Sequence, residues 1–187
     1  MMNKLYQKWL NIEDREIKNK LQTMNQEDID NAFAGTLKFG TAGLRGVMGI
    51  GTNRINEVNV CKLANAIATL YKKNKLSSIV IGFDTRHNSK TYSRIFAKVL
   101  SANGIHVNLF KNYVPTPVLN FAIAETKSDM GIMITASHNN KIYNGIKVSN
   151  SNCIQISGET EKLLGNLYEK VDEVEAYNNF LKKNQYL

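Results

Sequence analysis

The sequence predicts an α/β fold: a layered helix–sheet–helix domain with a mostly parallel mixed sheet plus one antiparallel hairpin strand. Three observations predict it. Two short apolar runs, Ile79-Val80-Ile81-Gly82-Phe83 and Met130-Gly131-Ile132-Met133-Ile134, have the length and continuity of strands buried on both faces. The segments between them carry apolar residues at helical spacing, and strands alternating with helices make a parallel sheet covered by helices. Asn144-Gly145, just beyond the second run, reads as a two-residue hairpin turn that sends Ile146 to Val148 back alongside.

Taken in order, Leu5, Trp9, Ile12 and Leu21 have helix-like spacing among many charges, and a short helix is expected over Glu27 to Ala34. Residues 1–36 are therefore expected to be a helical appendage, with the main domain over 37–187. Glycines at 40, 43, 46, 49 and 51 are too dense for a helix and predict a loop. Val60, Leu63, Ala64, Ile67, Leu70 and Tyr71 share a helical face. After the strand ending at Phe83, Asn88 or Ser89 caps a helix whose face is Tyr92, Ile95, Phe96, Val99 and Leu100, and Asn103-Gly104 stops it. Ile105 to Phe110 is the next strand. Pro115-Thr116-Pro117 opens a helix through about Glu125. An amphipathic segment runs from about Gly158 to Val171, and the polar tail after it has weaker periodicity.

The formal net charge of +8 suits an anionic partner. Nucleic acid is not the expected one, because the lysines are scattered and no arginine stripe interleaves with aromatics. No stretch has the length of a membrane span, and the N-terminus lacks the apolar run of a signal peptide, so the expected location is the cytoplasm and no membrane partner is expected. Cys61 and Cys153 match no metal or redox spacing, and Cys61 reads as a buried thiol.

Ligands of open α/β sheets bind beyond the carboxyl ends of the strands. Asp84-Thr85-Arg86-His87, Pro115-Thr116-Pro117 and Thr135-Ala136-Ser137-His138-Asn139 all fall there, and the glycine loop around Arg45 is able to join them. Glycine-rich backbone and arginine suit phosphate, through exposed N–H groups and paired charge-assisted bonds. Strand alternation turns Lys147 away from the layer of Ile146 and Val148. Each residue has a plainer reading as well: a loop hydroxyl for Ser137, a capping ring for His138, a surface ion pair with Asp84 for Arg86, and a solvated lysine for Lys147. The glycines do not form G-x-G-x-x-G, and Ser137 is not in a G-x-S-x-G elbow, so dinucleotide binding and serine hydrolysis are not supported.

Together, Phe39-Gly-Thr-Ala-Gly-Leu-Arg-Gly46, Gly82-Phe-Asp-Thr-Arg-His-Asn-Ser89, Pro115-Thr-Pro117 and Gly131-Ile-Met-Ile-Thr-Ala-Ser-His-Asn139 leading to Tyr143-Asn-Gly-Ile-Lys147 resemble the α-D-phosphohexomutase superfamily, the phosphoglucomutases and phosphomannomutases. The ordered marks span about residues 39 to 149 and resemble that family's N-terminal domain. The resemblance implies an intramolecular phosphotransferase that interconverts hexose 1-phosphate and hexose 6-phosphate through a hexose 1,6-bisphosphate intermediate. It implies that Ser137 is phosphorylated and lends its phosphate to Mg²⁺, that Lys147 is the acid–base group, and that Arg45 and His138 lie beside the phosphoserine. Arg86 and Asn139 are implied to bind substrate or phosphate. The later family domains, with the Asp-x-Asp-x-Asp metal loop and the sugar-selecting loop, are absent from this chain. They are expected in cis or in trans, and the chain alone is expected to be inactive. The Asp28 and Asp30 pair is not that loop, since it falls in a predicted helix. Asn140 stands where the family usually has proline. A non-catalytic phosphate-binding or regulatory fragment of the same fold is the alternative.

Overall fold

A computed structural model of the chain describes residues 3–40 and 43–184. Thr41 and Ala42, the middle of the glycine motif, lie outside the described residues. The elements run α1 Lys4–Trp9, α2 Arg15–Thr23, α3 Gln26–Ala32, β1 Leu44–Val47, α4 Glu57–Asn74, β2 Ser78–Phe83 and α5 Ser89–Ser101. There follow β3 His106–Leu109, α6 Thr116–Glu125, β4 Met130–Ile134, β5 Tyr143–Asn150, α7 Gly158–Lys170 and α8 Glu173–Asn184. The five strands form one sheet in the order β1-β5-β4-β2-β3. β4, β2 and β3 are parallel, while β5 is antiparallel to both β4 and β1. Four strands therefore share one direction and β5 alone opposes them, which is the expected mixed sheet.

Alternation along the strands sorts the core. Ile79, Ile81, Phe83, Ile132, Ile134, Ile146, Val148 and Leu44 point into the large cluster built with α4, α5 and α7. Val80 and Met133 point the other way, onto Leu119 and Ile123 of α6. The sheet is thus thickly covered on one face and covered by α6 on the other. Helix α4 packs against α5, α7 and α8, and its side chains are buried nearly all round, as an internal helix requires.

Three elements differ from the sequence reading. Leu44–Val47 is an edge strand, β1, within the stretch expected to be loop. Its glycines are used for close approach: a Cβ on Gly43, whose φ is +79°, would run into the Ile146 carbonyl. Asn144-Gly145 lies inside β5 and does not turn the chain; the reversal is made by the longer loop from Thr135 to Ile142. The polar tail is helix α8, which buries Val174 and Tyr177 with only a narrow apolar stripe, so its periodicity was weak.

The N-terminal helices share the main cluster through Trp9, Ile12 and Leu21, all fully buried. Trp9 Nε1 donates to Glu173 Oε1 at 3.4 Å. Glu173 also faces Lys8 at 3.0 Å and the buried Lys62 at 3.6 Å, and the Lys62 ammonium sits over the Tyr168 ring. One buried carboxylate thereby joins α1, α4 and α8. Burial alone would raise the Glu173 carboxyl. A hydrogen bond from its own backbone N–H and the two ammonium groups outweigh that and hold it below its ordinary value of 4.5.

The folded carboxyl gives up its proton more readily than the unfolded one. Its stabilisation is therefore present above about pH 4.5 and fades as pH falls through the lower folded value. Urea unfolding across pH 3–7 should show this loss, and Glu173→Gln should reduce it, leaving the share of Asp129 and Asp172, whose carboxyls are also held low by hydrogen bonds. That variant should also cost about 3 kcal/mol at pH 7, because Lys62 loses its buried partner. Gly145→Ala gives a second check, since its Cβ would lie 2.7 Å from the Leu44 carbonyl oxygen and 3.0 Å from that of Thr135. The expected loss is about 1–3 kcal/mol in the unfolding free energy.

Candidate active site at the carboxyl ends of the strands

The sheet register brings two loops to one place. Phe83 at the end of β2 pairs with Ile134 at the end of β4, and Ile134 pairs with Ile146 of β5. Asp84 N–H continues the ladder to the Ile134 carbonyl at 3.1 Å, and Thr135 N–H does so to Gly145 at 2.9 Å. The loops that follow β2 and β4 therefore leave the sheet side by side. The Pro115-Thr116-Pro117 start of α6 lies at the same end, tied in by Val114 N–H to the Phe83 carbonyl at 2.9 Å.

Ser137 sits on the turn just past β4. Thr135 and Ala136 are buried, and exposure begins at Ser137 and continues at His138. Its φ is +53°, the left-handed region, which costs a residue with a β-carbon about 1–2 kcal/mol. The turn is held locally by Ser137 N–H to Thr135 Oγ1 at 2.9 Å and by Asn139 N–H to the Ala136 carbonyl at 3.1 Å. Non-glycine residues persist in this conformation only where their surroundings over-determine it.

Arg45 arrives from β1. It pairs with Gly145, so alternation puts Arg45, Gly145 and Lys147 on one face of the sheet and buries Leu44, Ile146 and Val148 on the other. The Arg45 guanidinium donates to Asn139 Oδ1 at 2.9 Å, linking the edge strand to the serine turn. Lys147 is half-buried and pairs with Met133 across β4. The structure thus gathers Ser137, His138, Asn139 and Arg45 on or against one turn, with Lys147 on the same sheet face as Arg45.

Arg86 is present too, but its guanidinium faces protein atoms. Nη1 donates to the carbonyls of Asn140 at 2.9 Å and Tyr143 at 3.0 Å. Nη2 donates to those of Ser137 at 3.0 Å and Asn139 at 2.6 Å. Nε faces Asp84 Oδ2 at 3.4 Å.

Beneath them lie two groups that the sequence reading gave other parts, Asp84 as an ion-pair partner of Arg86 and Asn144 as a turn residue. Asp84 Oδ1 accepts from Arg86 N–H at 2.9 Å and from Ser89 Oγ at 2.8 Å. Asn144, fully buried, donates from Nδ2 to the His87 carbonyl and to Ser89 Oγ, both at 3.0 Å. The Asp-x-Arg spacing of an Asx turn was a usable signal for the first. Asn144 gave none, since its pairing with glycine looked like a turn.

The profile of the family described as phosphoglucomutase/phosphomannomutase, alpha/beta/alpha domain I, matches residues 36–175. The chain belongs to this family. Among curated relatives, the phosphoglucomutase of Staphylococcus saprophyticus is 40% identical to this domain I chain over 176 residues, covering 93% of the chain and 31% of the relative. That of Staphylococcus aureus strain MRSA252 is 42% identical over 151 residues, 79% of the chain and 27% of the relative. Domain I therefore spans less than a third of these relatives. A crystal structure of a Thermus thermophilus protein, provisionally assigned as a phosphomannomutase, superposes with a TM-score of 0.68 at 32% identity, over 74% of this chain and 30% of that one. A phosphoglucomutase/phosphomannomutase family protein from Burkholderia thailandensis gives 0.60 at 25% identity, over 70% and 29%.

Because the turn holds Ser137 in the left-handed region, Ser137→Gly should relieve strain. Its unfolding free energy should be unchanged or higher by up to about 1 kcal/mol, the relief offset in part by the freer unfolded glycine. A thermal scan checks this. A marked drop in Tm would mean that the serine side chain supports the turn.

Proposed function

We propose that this chain is the phosphoserine-bearing domain of a phosphoglucomutase/phosphomannomutase that interconverts hexose 1-phosphate and hexose 6-phosphate. The observation that carries the reading is the exposed Ser137, held at φ +53° at the mouth of the sheet beside an arginine-tied Asn139. Serine hydroxyls are weak nucleophiles, so a carrier that starts each cycle phosphorylated avoids activating one first. The bond between phosphorus and Ser137 Oγ breaks as a bond forms to a sugar hydroxyl, giving a hexose 1,6-bisphosphate. After the sugar turns around, its other phosphate returns to Oγ.

Phosphoryl transfer needs mainly positioning and charge neutralisation. In this reading Arg45 offsets charge on the phosphoryl oxygens, Asn139 and His138 orient them, and Lys147 moves the proton of the sugar hydroxyl, a role worth about 10²–10⁴-fold. Magnesium prefers several oxygen ligands. The described residues contain no group of three or more carboxylates, histidines or cysteines able to hold a metal, so they do not form the site alone. The phosphate on Ser137 would lend one ligand, and the rest belong to further domains in cis or in trans. Those domains would also clamp the sugar phosphate and speed transfer, which leaves the chain alone with slow, single uptake of a phosphoryl group at Ser137 and without turnover. We place the protein in the cytoplasm; no described helix is long and apolar enough to cross a membrane.

The purified chain should take one phosphoryl group when incubated with glucose 1,6-bisphosphate, read as a single mass increment that Ser137→Ala abolishes. It should show no measurable conversion of glucose 1-phosphate. Robust conversion by the chain alone would contradict the division of labour. Absence of the increment would favour a non-catalytic fragment of the same fold.

A further inference from the structure

Arg86 makes more bonds to the serine turn than any side chain of the turn itself, and its donor inventory is fully committed. A guanidinium has five N–H donors in a fixed plane. Four go to the carbonyls of Ser137, Asn139, Asn140 and Tyr143, and the fifth faces the Asp84 carboxylate. None is left for a phosphate oxygen. The net field of the group is also small, because Asp84 lies beside it at 3.4 Å. Charge attraction to a ligand is therefore not what this arginine offers.

We propose that Arg86 is a positioning residue: by capturing four carbonyls of the loop between β4 and β5, it holds Ser137 in its left-handed conformation and so sets the direction in which Oγ faces. The loop needs such a device. Residue 140 is asparagine, without a ring to fix its φ. Its Oδ1 accepts from Ile142 N–H at 3.2 Å, a local turn that constrains the loop's far side and leaves Ser137 untouched. Behind Arg86, Asp84 is fixed by Ser89, and Ser89 by the buried Asn144 of β5. The clamp is thus anchored to the sheet on both sides. A lysine keeps the charge but has three mobile donors in place of a planar fork, so it would not span four carbonyls.

The proposal draws its catalytic meaning from the phosphoserine reading above, yet its test is separate. Amide hydrogen exchange should be measured on the full 187-residue chain and on Arg86→Lys. The expected result is that amides 139 and 143 exchange about 10- to 100-fold faster in the variant, while those of β4 keep their protection. Phosphoryl uptake by Ser137 from glucose 1,6-bisphosphate should slow by about 10²-fold, the usual effect of a misplaced reacting group. Unchanged exchange in the loop would overturn the proposal. So would equal loss of protection in β4, which would make Arg86 a general support of the fold. Should Arg86→Lys fail to fold, Asp84→Asn loosens the same clamp while keeping its acceptor for Ser89, and the same loop-specific loss is expected. If the wild-type chain takes no phosphoryl group while the variant frees the loop, the phosphoserine reading fails and the clamp stands.

Discussion

The level ending of β2 and β4, set against the middle of β5, is the constraint on which the site depends. Phe83, Ile134 and Ile146 stand in register across β2, β4 and β5, and each is buried in the main cluster. A one-residue slip would turn these side chains out of the core, so the hydrophobic pattern fixes the register firmly. Once it is fixed, the Asp84 loop and the Ser137 loop must leave the sheet as neighbours. Arg86 is then within reach of four carbonyls, and Arg45, opposite Gly145, is within reach of Asn139. The polar site is a consequence of apolar pairing.

That core spends some of its stability on the turn. A serine at φ +53° is unfavourable, and the local bond from its N–H to Thr135 is weak compensation. The arginine clamp and the Asp84–Ser89–Asn144 chain, half-buried at Asp84 and fully buried at Ser89 and Asn144, supply the rest. These polar groups persist because each is partnered: the buried Asn144 has three bonds and the half-buried Asp84 three contacts. Rigid support beneath an exposed hydroxyl is what a group-transfer site requires, since small displacements of the reacting atom are costly.

Much of this was legible in the sequence, and the reasons are particular. The runs ending at Phe83 and Ile134 announced themselves as doubly buried strands, and the polar residues directly after them had to lie at the sheet's carboxyl edge. The motif around Ser137 carried the family. What escaped were features that depend on partners distant in sequence. Leu44–Val47 lies among too many glycines to look like a strand and becomes one only because β5 accepts it. Asn144-Gly145 has turn chemistry, yet burial against Ser89 and the Leu44 carbonyl holds it straight. Arg86 had two readings, a phosphate-binding cation and an ion-pair partner of Asp84; the ion pair is present, but nothing in a linear sequence shows four carbonyls converging on the same guanidinium.

The central claim is that Ser137 Oγ, presented outward by a strained and clamped turn, is where a phosphoryl group rests. A crystal structure of the chain after exposure to hexose 1,6-bisphosphate tests it most directly. The account predicts a phosphoryl group on Ser137 Oγ, with the Arg86 bonds intact behind it and Arg45 and Lys147 on the side it faces. An unmodified Oγ, or a phosphoryl group seated on another residue, would contradict it.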